Sequence, residues 1–136
     1  MRLHEIALAL QELLLKHYQT VRVTAIQNAD QFLAELSAVN PDKLPGLLIV
    51  FDNFQFVATG TIREDRISLV LIDRFRKGSD DRALRLFESS EKLLELFPLE
   101  GRKLGDAFIR PEDCLASSPK ADFAAMALGL IVSQGI

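Results

Sequence analysis

The side chains in this sequence that chemistry could use fall into a few small groups. Asp52 follows an apolar run, and Glu64 and Asp65 lie a short way beyond it. Carboxylates placed so around a strand end resemble the cation-binding acids of nucleases, where a divalent ion activates water. Such sites also want a lysine or similar group beside the acids on the same strand. The neighbours here are Arg63 and Arg66, so a solvated hairpin tip is the better account. A metal-independent enzyme using Asp52 or Glu64 is the corresponding catalytic alternative. His4 and His17 are thirteen residues apart, too far round a helix to hold one metal ion. His17 therefore reads as a hydrogen-bonded histidine at the edge of an apolar face. Cys114 has no histidine base in its own segment and reads as buried and inert.

The remaining groups have equally plain readings. Ser79 is placed to cap a helix, and Ser89 and Ser90 to lie on its surface. There is no G-x-S-x-G, P-loop or dinucleotide fingerprint, and Gly101 and Gly105 are isolated, so no glycine-rich phosphate cradle forms. Arg74, Arg76 and Lys77 flank Phe75, and Arg102-Lys103 makes a smaller basic pair. Nucleic-acid binding wants more cations and more aromatic residues than these, so they read as a solvated connection. In a ring the same patch would repeat around the axis and act collectively. Glu88, Glu91 and Glu95 mark the wet side of a helix. No catalytic, cofactor-binding or metal-binding residue is expected.

Composition sets the outer limits. The 136 residues suit one domain, 1–136, with a core that needs neither disulfide nor metal. Hydrophobic residues make up 49%, and the mean hydropathy is +0.15. That is high for a small domain, and exposed apolar surface usually marks contact with a partner, so self-association is expected. A net charge of -3 opposes sequence-independent nucleic-acid binding. No stretch approaches the length of a membrane span, Met1 to Glu5 lacks the features of a signal peptide, and the chain reads as cytosolic.

The elements that must position these side chains follow from periodicity. Leu3, Ile6, Leu10, Leu13, Leu14 and His17 share one face of an amphipathic helix, and Leu8 and Leu15 widen its stripe towards a second contact. The segment from Thr20 to Ile26 alternates and is β-branched, as a strand is. Asn28, with Gln31 in the capping-box position, predicts a short helix burying Phe32, Leu33, Leu36 and Val39 and ending at Asn40-Pro41-Asp42. Leu47-Leu48-Ile49-Val50-Phe51 is apolar throughout, which predicts a central strand covered on both faces. Residues 52–66 read as a loose excursion, with turns at Asn53 and Thr59-Gly60-Thr61, before a partner strand from Ile67 to Ile72. Gly78-Ser79-Asp80-Asp81 predicts a helix start; Ala83, Leu86, Phe87, Leu93, Leu94 and Phe97 form its apolar face and Pro98 its end. Ala107 to Arg110 reads as a short strand closed by Pro111 and residues 110–120 as an irregular loop; the alanine and leucine richness of Asp122 to Val132 would permit a helix, but Gly129 and the β-branched pair after it favour a final strand.

This order of elements resembles the tail terminator (tail completion) proteins of tailed bacteriophages and prophages, including the Mu-like prophage family. The features that carry it are the N-terminal helix to Tyr18, the strand from Val21 to Ile26 and a short helix. Then come the proline-led strand Leu44-Pro45-Gly46-Leu47-Leu48-Ile49-Val50, the return from Ile67 to Asp73, the helix after Gly78-Ser79-Asp80 and the final apolar strand. The Phe54 to Arg63 insert and the Arg110 to Lys120 loop depart from the pattern. The resemblance implies an α/β (α+β) fold, a mixed four- to five-stranded sheet flanked by about three helices. It further implies a homo-oligomeric ring, typically a hexamer, that caps the tail tube and joins the head connector. Its partners would be copies of itself and the tail-tube and head-connector proteins, with no membrane, no sequence-specific nucleic acid, no cofactor and no catalysis. It would sit in the bacterial cytoplasm during assembly and then in the virion tail. Within such a ring the first helix and residues 54–66 are expected to contribute to subunit contacts. The other reading is a small oligomeric adaptor, a chaperone-like binding module that holds a partner chain.

Overall fold

The chain builds an α+β layer structure, seen in a computed structural model that describes residues 2–24, 30–31, 34, 44–57, 60–74, 80–120 and 123–135. Among the described residues there are two long helices and six strands. In chain order these are α1 (Leu3–Leu15), β1 (Val21–Thr24), β2 (Gly46–Val57), β3 (Ile62–Arg74), α2 (Asp80–Leu96), β4 (Arg102–Leu104), β5 (Ala107–Lys120) and β6 (Phe123–Gly135). All six strands form one sheet in the order β1-β2-β3-β6-β5-β4. Only β1 and β2 are parallel; every other neighbouring pair is antiparallel. The sheet is thus mixed, as expected, but has six strands where four to five were expected. The helix anticipated after Asn28 lies largely outside the described residues, of which 30, 31 and 34 are helical.

Both helices cover one face of the sheet. From α1 come Ile6, Leu10 and Leu14, spaced at four residues, and from α2 Leu86, Leu93 and Phe97. They pack on Leu47 and Ile49 of β2, Ile67, Leu69 and Leu71 of β3, and Leu128, Leu130 and Val132 of β6. Each such side chain contributes roughly 1.5–3 kcal/mol by leaving water. Alternate residues of the same strands face the other way. Leu48 and Val50 join Ile72, Phe123 and Ala125 in a second buried cluster. That two-sided burial is why β2 reads as apolar at consecutive positions.

Local bonds set the helix ends. The Arg2 backbone N–H donates to Glu5 Oε1 at 3.3 Å, tying off the start of α1. At its far end the Tyr18 hydroxyl donates to the Ser89 carbonyl at 2.8 Å and so joins α1 to α2. The Arg102 guanidinium donates to the Leu96 carbonyl at 3.0 Å, satisfying one of the last carbonyls of α2. On α2 the expected apolar face splits. Leu86, Leu93 and Phe97 are buried, whereas Phe87 and Leu94 are exposed. Ser90, expected on the surface, is buried and returns its hydroxyl to the Leu86 carbonyl at 2.8 Å. The Ser79 cap lies outside the described residues.

Two stretches expected to be irregular are strands. Residues 52–57 and 62–66 extend the β2–β3 hairpin well past Phe51 and Ile67. The ladder slips by one residue between Phe51 and Asn53, leaving Asp52 as the extra residue of a bulge. The slip resets the alternation, so Phe54 pairs with Asp65 and Phe56 with Arg63 on the helix-bearing side. Pro111 does not close its strand either. It pairs with Leu130, and a second slip between Pro111 and Asp113 accommodates the missing N–H as β5 runs on to Lys120.

Candidate functional site: apolar surfaces and open strand edges

Around the core, twelve large apolar side chains among the described residues remain exposed. Their placement, more than any polar cluster, distinguishes this surface. Beside α1, Leu3, Ala7 and Leu8 meet Val23, Phe51 and Ile67 across a groove of about 410 Å³ with His4 and Gln11 on its rim. Leu8 is 60% exposed and Leu15 lies two turns further along the same helix, half exposed. Further along the strand that supplies Phe51 to the groove, on the hairpin arm, Phe54 and Phe56 are 50% and 59% exposed. Their rings meet edge to face at 5.7 Å between centroids. On α2, Leu84, Phe87 and Leu94 form an outward stripe at helical spacing, lined by Glu88, Glu91 and Glu95.

The carboxylates do not converge as the nuclease-like pattern would require. Asp52 is exposed in its bulge and accepts a hydrogen bond from the Ser68 hydroxyl at 2.6 Å. Glu64 lies on the face opposite α1 and α2, where Arg110 and the Ser133 hydroxyl both donate to its Oε2 at 3.2 Å. Asp65 is the correction. Expected at a solvated tip, it is fully buried on the opposite side of β3. Arg63 donates to its Oδ1 through Nε at 3.0 Å and Nη2 at 2.9 Å, while Oδ2 is buried with no hydrogen-bond partner among the described residues. The same guanidinium stacks over the Phe54 ring at 4.7 Å. Burial follows from register: Asp65 lies between Phe54 and Val132 in the sheet, beneath apolar neighbours that local hydropathy does not reveal.

Among the described residues no group of three or more His, Cys, Asp or Glu side chains could hold a metal ion. None of their helices is long and apolar enough to cross a membrane. Set against models of known protein families and against curated protein sequences, the chain matches none. The site is therefore read from its geometry.

Other sequence-level candidates disperse. His4 and His17 are both exposed, His4 in the first turn of α1 and His17 in the turn beyond its end. Cys114, expected to be buried, is exposed on β5. Desolvation by its surroundings, with the Asp113 charge adding to it, pushes its thiol pKa up, so the exposed sulfur is a sluggish nucleophile. Residues 75–79, which hold most of the expected basic cluster and the Ser79 cap, lie outside the described residues. Glu88, Glu91 and Glu95 are exposed. Gly101 and Gly105 sit in turns with φ of 88° and 59°.

Two edges of the sheet are the features that sequence reasoning missed. β1 pairs with β2 only over Leu47 to Val50, leaving residues 51–57 without a strand on their outer side among the described residues. At the other border β4 pairs with β5 only over Ala107 to Ile109. Residues 112–116 of β5 are exposed beyond that cover. Leu115 is 64% exposed there, beside Cys114. The signal that could have found the β5 edge is length: a strand of 14 residues beside one of 3 must overhang it.

Proposed function

We propose that this protein is a structural subunit of a bacteriophage or prophage tail, a tail terminator that assembles as a ring. The ring caps the tail tube, stops its growth and offers a surface to the head connector. The observation that carries this reading is the exposed apolar surface surrounding a core already closed by α1 and α2. A ring subunit needs two unlike lateral surfaces that close under rotation, and an axial surface for its neighbour. The groove beside α1 with the phenylalanine arm, and the stripe on α2, are separate apolar surfaces of that kind. The element order also supports it: an N-terminal helix, a proline-led apolar strand, a hairpin return, a second helix and a final apolar strand.

Negative-stain imaging and light scattering of the purified chain test the reading. Rings with a mass near six subunits are the expected result. A sample that stays monomeric at high concentration overturns it.

A second reading has one observation in its favour. The α1 groove, apolar with His4 and Gln11 at its margin, has the size and character of a site that holds another molecule's side chains. An adaptor or chaperone-like module would use it to clasp an extended segment of a client. A stable dimer at every concentration, in place of a ring, selects this alternative.

A further inference from the structure

The sheet has a stepped outline. Along the register, residues 51–57 of β2 lie level with the start of β3, the end of β6 and the part of β5 that β4 covers. The overhang of β5 lies level with the opposite end, where β1 covers β2. Among the described residues the two open edges therefore sit at diagonal corners. They also run in opposite directions, because β2 is antiparallel to β3, β3 to β6 and β6 to β5. Translated side by side, the β5 edge of one copy meets the β2 edge of the next as an antiparallel pair. Both copies then keep their helices on the same side of the joined sheet.

Lengths and faces agree with that pairing. The β5 overhang holds seven residues, 112–118, between Pro111 and Pro119, neither of which can donate to a ladder. The β2 overhang, 51–57, also holds seven, and either edge spans about 23 Å. Cys114 pairs with Leu128 and Ala116 with Met126, which puts both on the helix-bearing side. Phe54 and Phe56 face that side too. A one-residue stagger, which sets Cys114 opposite Phe56 and Ala116 opposite Phe54, lays the small side chains of one edge against the exposed rings of the other. An open edge of this length carries a row of backbone donors and acceptors that a matching strand can satisfy.

We propose that a second copy of this chain is the occupant: residues 112–118 of β5 add antiparallel to residues 51–57 of β2 in the neighbour. Repetition joins the sheets of successive subunits head to tail. The offset between the two corners gives each step a shift along the strands, which is the shear a closed sheet requires. This deepens the ring reading by naming its joint, and it rests on that reading only in needing a second copy.

The lone native cysteine makes the joint testable. Phe54→Cys and Phe56→Cys, each made with Cys114 retained, place a partner thiol on the matching side of the neighbour's edge. Mild oxidation at alkaline pH is expected to give a ladder of disulfide-linked multimers on a non-reducing gel. Asn53→Cys and Gln55→Cys, on the opposite face of the same strand, are expected to react about tenfold more slowly, since a disulfide needs matched Cβ directions. Adding Cys114→Ser to Phe54→Cys is expected to abolish the ladder. Light scattering of the reduced proteins supplies the second readout. An oligomer whose Phe54 and Phe56 variants form no ladder, or whose ladder survives Cys114→Ser, overturns the joint and leaves the ring standing. A monomer at all concentrations overturns both.

Discussion

Arg85 of α2 closes on the buried carboxylate of Asp73 at the end of β3. Its Nη2 lies 2.9 Å and 3.0 Å from the two carboxylate oxygens, and its Nε lies 3.1 Å from Oδ2. The Arg74 backbone N–H donates to the same carboxylate at 2.8 Å. A fully buried acid is tolerated here because its oxygens are held by charge-assisted bonds. The pair pins α2 to the strand whose neighbours carry most of the core.

Removing Arg85 takes the forked guanidinium from that acid. Arg85→Ala is expected to cost about 3 kcal/mol, at the low end for a broken buried pair because the guanidinium itself keeps some water. Thermal unfolding should fall by on the order of 10 °C. Arg85→Lys is expected to recover less than half, since an ammonium cannot reproduce the forked contact. An unchanged melting temperature for Arg85→Ala would show that the pair adds no stability.

Tyr18 supplies a pH dependence with a definite sign. Burial pushes its phenol from 10.0 up to about 12, so folding favours the protonated form that donates to the Ser89 carbonyl. A folded-state pKa above the unfolded value contributes stability that is complete below pH 10 and is lost as pH rises towards 12. Urea titrations should therefore show stability falling across that window. Tyr18→Phe is expected to flatten this decline while costing about 1 kcal/mol at neutral pH for the lost hydrogen bond. An equally steep decline in the variant would place the alkaline sensitivity elsewhere.

How much of this was legible in the sequence depended on whether a residue's environment is set locally. Leu47, Leu48, Ile49 and Val50 announce a strand covered twice, because consecutive apolar residues must occupy both faces. The end of α2 before Pro98 is equally plain. Pro111 misleads, because a strand reading has no local sign that a bulge will absorb the missing donor. The phenylalanines of the hairpin arm read as a loop because the bulge at Asp52 breaks the alternation that would mark a strand. Cys114 reads as buried by residue type. Its exposure comes from β4 being too short to cover β5, a fact of pairing between segments. The candidate surfaces were foreseen only in part: the apolar excess and the Leu8 and Leu15 stripe were visible, and the open edges were not.

Asp65 gives the sharpest case of an environment set by distant residues, and it permits a double test. Arg63 holds only one of its oxygens, and the other is buried without a partner among the described residues. The pair therefore already bears part of the cost of desolvation, and its net contribution should be small even though each half depends on the other. Arg63→Met is expected to lower stability by about 3 kcal/mol, because a buried carboxylate is then left alone. Adding Asp65→Leu should remove that penalty and return the protein to within about 1 kcal/mol of its starting stability. Urea unfolding of the two single variants and the double variant gives the coupling directly. Additive losses, with the double variant the least stable of all, would mean that Arg63 and Asp65 stabilise the hairpin arm separately. Phe54 would then owe its place over the guanidinium to the arm's own packing.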